Sequence, residues 1–403
     1  MSSRTRIRIP CRFYIQRLHL LPVSLGGIFV GLGHEPAPPV FFARPSTTGP
    51  KISARLEGYV AMPSPIDIPT ILDCCNGLLL LDGRVVNPAT RQWVSLPPCP
   101  ALPAPVRGFG CHDACLAFDP TVSPHYEVLL IDSYLCYTTL DEGSEWPPST
   151  FMVPVYSSKT RAWETKPFVR EGGAAGTIAD VRSAEVPAHR HTAYRRETLY
   201  VHCKGDYVMR ITLSDSKYQV IKLPAGINAS VYDEIYLGRS KKGVYCAVAD
   251  NNNDDEKRLQ VLFLDELGDR IEWIVKYEID LEAHLYRNRD CIINRPWRLQ
   301  DDNQHEDCSQ GVTAGYDLLW DSDDDNLIDI QDTGEKYRCG YISIFGFHPF
   351  KEVVFLCTWD DRVMACHLKS SKIQDLGQVK TEYHGDVIDI AFVYTPYRVG
   401  ELC

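Results

Sequence analysis

Apolar residues in this chain come in short runs bounded by turn residues, and no stretch holds the 3.6-residue spacing of a long amphipathic helix. The pattern predicts strands in groups. The first group spans 76–81, 84–88 and 92–97, with Asp82-Gly83 as a tight hairpin turn. The second spans 115–119, 126–132, 149–157 and 162–167. A Gly/Ala-rich loop (171–180) and a polar stretch to Arg196 precede the third, at 197–204, 207–214 and 218–224. The fourth runs 232–240, 243–250, 258–266 and 272–280, and a short helix is expected at 281–289. The fifth covers 341–349, 352–360, 362–370 and 372–377. Runs at 26–32, 40–44 and 386–396 are left over from the two ends of the chain.

One phrase recurs between and within these groups: a small polar turn, a basic residue, then an aromatic or aliphatic residue opening a strand. It reads NPATRQWVSLP around Trp93, SSKTRAWETKP around Trp163 and LSDSKYQVIKLP around Tyr218. Looser copies surround Trp273 and Ile373, so the spacings are 70, 55, 55 and 100 residues. A unit this short cannot bury its own apolar face, so copies must stack around a common axis. The expected fold is all-β: a kelch-like β-propeller of six blades, or seven if 170–196 or 290–335 holds another. The leftover terminal strands would close the ring.

Charge changes this picture in one place. The chain of 403 residues carries a formal net charge of -11, but residues 301–335 hold twelve acids and no Lys or Arg. The remainder is near neutral, so one insert is strongly acidic, and no basic stripe suited to nucleic acid stands out. The fifteen cysteines are an odd number and several sit in apolar runs, as Cys246, Cys357 and Cys366 do. That favours buried free thiols and an intracellular (cytoplasmic or nuclear) chain over a disulfide framework. Residues 1–20 are basic, with Arg4, Arg6, Arg8, Arg12 and Arg17 ahead of a short apolar run. They read as a ragged start before a first strand, and no stretch approaches membrane-spanning length.

Candidate chemistry is sparse. Asp321, Asp323, Asp325, Asp329 and Asp332 lie at calcium-loop spacing, yet Asn326 stands where such loops use Gly and Asp332 where they use Glu. Cys111, His112, Asp113 and Cys115 could be ligands, but no second pair follows at zinc-site spacing. No phosphate-binding or nucleophile-elbow motif is present. The expectation is no cofactor, no metal and no enzymatic activity. His348 is expected to serve its own turn. Trp93, Trp163 and Trp273 are expected to pack between blades, while Trp146 and Trp297, outside the repeated phrase, are the candidates for exposed partner contacts.

The run CCNGLLLLDGRVVNPATRQWVSLPP at 74–98 resembles the F-box-associated β-propeller region of plant F-box proteins. The segment 346–377 and the Tyr-Thr-Pro tail at 390–402 are similar to the same family, the tail to its grass members. The resemblance covers about residues 20–402, giving a domain at 21–403 with the acidic insert at about 301–335. It implies a non-enzymatic module that holds a target protein for a ubiquitin ligase. The family's F-box has no counterpart in residues 1–20, so a Skp-type adaptor and cullin are expected as partners only if an F-box is supplied elsewhere. The chain is expected to be a monomer that binds an unknown protein, with no nucleic acid and no membrane. The alternative is a propeller enzyme or carbohydrate binder with convergent carboxylates or histidines in a central channel.

Overall fold

A computed structural model describes residues 24–32, 38–45, 69–100, 113–132, 141–184, 191–204, 207–224, 234–252, 257–267, 270–281, 297–299, 340–379 and 388–398, with Ile52, Leu56, Val60, Ile227 and Leu402. Their regular secondary structure is almost entirely strand. β1 (Gly27–Leu32) and β2 (Val40–Ala43) form a hairpin. Sheet II is the meander β3 (Ile71–Cys75), β4 (Leu78–Leu81), β5 (Arg84–Asn87) and β6 (Gln92–Ser95). Sheet III runs β7 (Asp113–Ala117), β8 (Glu127–Ile131), β10 (Thr150–Ser157) and β11 (Ala162–Glu171), with the short β9 (Glu145–Trp146) inserted after β8. β9 pairs with β12 (Gly176–Thr177), which leads into helix α1 (Ile178–Ser183).

Sheet IV is β13 (Thr192–Arg195), β14 (Thr198–Cys203), β15 (Tyr207–Thr212) and β16 (Lys217–Lys222). Sheet V is β17 (Glu234–Ser240), β18 (Gly243–Asp250), β19 (Arg258–Asp265) and β20 (Glu272–Asp280). After β21 (Arg298–Leu299), sheet VI is β22 (Ile342–Phe347), β23 (Val353–Thr358), β24 (Arg362–His367) and β25 (Lys372–Gln378). β26 (Ile388–Tyr394) pairs antiparallel with β1 from Gly27↔Tyr394 onward, and β21 pairs with β2. Sheet I is therefore assembled as β21-β2-β1-β26 from three distant segments. The outer strands of sheets III and IV also pair in parallel at Val169↔Lys217, which joins the two into one eight-stranded sheet. That pairing covers an otherwise open edge.

The repeated phrase has a clear local cause. Arg91, Arg161, Ser216 and Ser371 each stand one residue before an outer strand, and each has a positive φ between 52° and 58°. A polar turn closing through a left-handed residue is a common three- to five-residue hairpin loop. The next side chains then wedge into the neighbouring sheet. Trp93 packs against the core between sheets I and II, and Trp163 against that between II and III. Tyr218 lies in the core between III and IV, Trp273 between IV and V, and Ile373 against that between V and VI. A sixth core, between sheets VI and I, contains Trp297. The inner strands touch in the cyclic order β3, β7, β13, β17, β22, β26 and back to β3.

Several expectations need correction. Trp146 and Trp297 are not exposed: they are 4% and 2% accessible, because the loops that carry them fold back over sheet edges. Trp146 packs edge-on to Phe151, and Trp297 lies between Phe42 and Phe355. The stretch 170–196 holds β12, α1 and β13 rather than a further sheet, and β13 supplies the inner strand that the third group lacked. Thr177 and Asp180 form a capping box at the start of α1. The helix expected at 281–289, the segment 1–20 and the acidic insert 301–335 lie outside the described residues, apart from Leu281.

Candidate functional site

The inner strands line a small open cavity of about 80 Å³. Its polar lining includes Asp73 on β3 and Asn76 just after it, His191 and Thr192 at β13, and Tyr236 and Arg239 on β17. Phe347, Phe392 and Val393 supply apolar wall. Asn76 sits in the left-handed region, and Gly77 follows with φ +88°; a Cβ there would meet the Thr395 carbonyl oxygen at 2.5 Å. That explains the Asn-Gly of the CCNGLL run.

Asp73 is 4% accessible, and burial pushes its carboxyl up to about 6, against three hydrogen bonds that favour the charged form. A perturbed carboxyl in a cavity is a common mark of a functional site. Here the framework occupies both oxygens. The Cys74 N–H donates to Oδ1 at 2.7 Å, and the Leu116 N–H and Thr192 hydroxyl donate to Oδ2 at 2.7 and 2.9 Å. Asp73 thus ties β3 to β7 and β13. It is the one carboxylate among the described residues that line the cavity.

The two thiols are also quiet. Burial, with the Asp73 carboxylate and Cys75 beside it, holds the Cys74 thiol well above the ordinary range, and burial takes Cys75 up to about 12. Neither offers a thiolate at neutral pH. His191 stacks on Tyr236 with ring centres 3.7 Å apart. Arg239 differs from these groups. Its guanidinium donates to the Asn76 side-chain oxygen, and the Asn76 amide in turn donates to the Phe118 carbonyl. No carboxylate among the described residues pairs with Arg239, which stands half-buried at the cavity rim.

A second exposed feature lies at the opposite end of the strands. Trp359, in the β23–β24 turn, is 63% accessible and is flanked by Asp360 and Asp361. A Cβ on Gly340 would come within 2.7 Å of its ring, so a larger residue there would displace the indole.

The other sequence candidates fall elsewhere. Asp113 opens β7, Cys115 is buried in the core between sheets III and IV, and Cys111 and His112 are outside the described residues, as is the 321–332 loop. Among the described residues no cluster of three or more His, Cys, Asp or Glu could hold a metal. His348 does serve its turn: its Nδ1 accepts from the Phe350 and Lys351 N–H groups at 3.1 and 3.2 Å. Cys74, Cys75, Cys246, Cys357 and Cys366 are free thiols, and burial lifts Cys246 and Cys366 to about 12. No described helix is long and apolar enough to cross a membrane. The cavity residues escaped the sequence reading because each comes from a different sheet. A lone acid in the apolar run ILDCC was the one available signal.

No family model matches the chain, and no curated protein matches it. Solved structures do align. A computationally designed protein, Ika8, matches at 10% identity and TM-score 0.35, covering 94% of this chain and 96% of its own. A structure described as YCF48 bound to D1 peptide matches at 7% identity and TM-score 0.36, over 88% and 82% of the two chains. A chain from a mitotic checkpoint complex matches at 7% identity and TM-score 0.33, over 96% and 87%. These are distant matches.

Proposed function

We propose that this chain is a six-bladed β-propeller, closed by pairing of β26 with β1, that recognises a protein partner without catalysis. The blade count follows the six four-stranded units and the six cores between them. The observation that carries the recognition reading is the division of labour around the cavity. The carboxylate and thiols that catalysis would need are engaged or protonated, while the Arg239 guanidinium at the rim holds only a neutral partner. A buried acid satisfied by backbone donors stabilises the framework; a cation left over at an open mouth is available to a ligand. The family resemblance at 74–98 makes that ligand a protein held for ubiquitination, with coupling to a Skp-type adaptor only where an F-box is supplied elsewhere.

The test is reconstitution. A protein captured by the full chain, then purified, should bind it in calorimetry with one-to-one stoichiometry. The binding should weaken on substitution at the cavity mouth. Saturable binding of a free sugar in the cavity, or turnover that is lost in Asp73→Asn, would overturn the reading.

A further inference from the structure

We propose that the face carrying the cavity mouth binds an acidic segment of the partner, with one carboxylate of that segment seated on Arg239. This rests on the protein-recognition reading above and names the chemistry of the partner.

In each antiparallel meander, successive turns alternate between the two ends of the strands. The turns after inner strands and after third strands therefore share one face. Hydrogen bonds across sheets agree with this. Ser240 Oγ donates to the Lys351 carbonyl at 3.0 Å, and Asn87 Nδ2 to the Tyr397 carbonyl at 3.0 Å. Arg195 reaches the Lys242 carbonyl at 3.5 Å. The turns of the repeated phrase bring cations to this face: Arg91, Lys159, Arg161 and Arg270 are exposed and pair with no described carboxylate, while Lys217 pairs with Glu171 and Lys369 with Glu352. Nearer the mouth stand Arg196 and Lys241, both exposed, and the half-buried Arg195.

Three acids of this face are committed, while Glu197, Asp215 and Glu272 stand exposed. Glu352 pairs with Lys242, Lys276 and Lys369. Glu266 accepts from Arg210 at 2.9 Å and from Tyr200 at 2.6 Å, and Asp119 accepts from Thr121 in its own turn. On this face the unpaired cations outnumber the uncommitted acids. The cations' mutual repulsion is visible at Arg195, whose guanidinium is pushed below its ordinary value first by burial and then by Arg196, with Arg239 adding to it against an opposing pull from Glu266. The other face carries acids in its turns, some of them paired, Glu142 with Arg182 and Asp360 with Arg362. Its turns carry Asp82, Asp141, Glu142, Asp360 and Asp361, and Gly340, where the chain returns from the acidic insert, opens onto it. A body that is neutral in sum is therefore polarised from face to face.

The geometry favours an acidic peptide over a nucleic acid. The cations ring a concave mouth instead of following a stripe that tracks a phosphodiester backbone, and the net charge of -11 opposes a long polyanion. A single guanidinium braced by Asn76 presents a planar fork suited to one carboxylate. The flanking cations add steering and salt sensitivity.

The experiment uses the full chain and a fluorescein-labelled twelve-residue peptide of Asp and Glu with Gly spacers, read by anisotropy. A lysine counterpart, inorganic phosphate and a twenty-nucleotide single strand serve as comparisons. The acidic probe should bind at low salt and be released by 0.5 M NaCl, while the lysine peptide should not bind. Arg239→Gln should weaken the acidic probe about tenfold or more, as expected when one partner of a hydrogen-bonded charge pair is removed. If Arg239→Gln does not fold, the exposed pair Arg196→Asn with Lys241→Ser should give a several-fold loss. Trp359→Ala on the other face should leave binding unchanged. Absence of binding at millimolar probe, indifference to every mouth substitution, or tighter binding of the nucleic acid would overturn the proposal. If a purified protein partner still bound while the acidic probe did not, the inference would fail and the recognition reading would stand.

Discussion

Sheets V and I have the same four-stranded form and opposite origins. Sheet V is one continuous meander from Glu234 to Asp280, each strand paired with its sequence neighbour. Sheet I takes β26 from the C-terminal end, β1 and β2 from the N-terminal end, and β21 from the segment between sheets V and VI. The first pays a small loop-closure cost at each hairpin, whereas the second closes loops of hundreds of residues. Local pairing makes sheet V legible and self-supporting. Sheet I exists because the other five sheets bring its strands together and because its apolar faces fill two cores. The pairing of the chain's two ends is thus a property of the whole chain, and sheet I is where it is most easily broken.

Ending the chain at residue 385 should have the largest effect. It removes β26, leaves β1 as an open edge and strips Phe392 and Tyr394 from the core between sheets I and II. Aggregation on size exclusion, or loss of a cooperative melt, is the expected result; a monomer with unchanged melting would contradict closure by β26.

Trp297→Ala comes next. Its side chain is 2% accessible, and removing it should cost about 3–5 kcal/mol in denaturant unfolding, the range for a large aromatic deleted from a core. Trp273→Ala, in the equivalent position of sheet V but 8% accessible, should fall toward the lower end of the same range. The two should differ in locality. Trp297→Ala should speed hydrogen exchange in β2 selectively, because Trp297 anchors the two-residue β21 against Phe42.

Smaller effects come from two carboxylates with opposite pH signatures. Burial opposes ionisation of Glu352, but hydrogen bonds from Lys242, Lys276 and Tyr277 overcome it and hold its carboxyl down at about 2. The stability that wild type holds over Glu352→Gln should be present above about pH 4.5, the ordinary glutamate value, and disappear as pH falls toward 2. Asp73 is shifted the other way, from 3.8 to about 6, so the folded state binds its proton more tightly than the unfolded state. Relative to Asp73→Asn, wild type should lose stability as pH rises through that window. Melting temperatures of the two pairs across pH 2–8 would show both trends, or refute them.

The sequence conveyed whatever is local. The four strands of sheet V were predicted at 232–240, 243–250, 258–266 and 272–280 and occur within two residues of those bounds. The repeated phrase located the outer-strand turns because its left-handed residue and wedge side chain are set by neighbouring residues. β13 was missed because Thr-Ala-Tyr-Arg is too short and polar to read as an inner strand. β21 was missed because two residues carry no pattern. Trp146 and Trp297 were misjudged on the premise that a loop side chain faces solvent, while both loops fold back onto sheet edges. The Arg239–Asn76 contact joins residues 163 apart in the chain, and no local pattern announces such a pair.

Native-state hydrogen exchange of the whole chain tests closure most directly. β1 lies between β2 and β26, so its amides from Ile28 to Gly31 are held inside a sheet whose partners come from opposite ends of the chain. A closed ring predicts that they exchange only through global unfolding, as slowly as those of Cys246 to Val248 in β18. Exchange of the β1 amides at the rate of exposed turns, with β18 still protected, would contradict it.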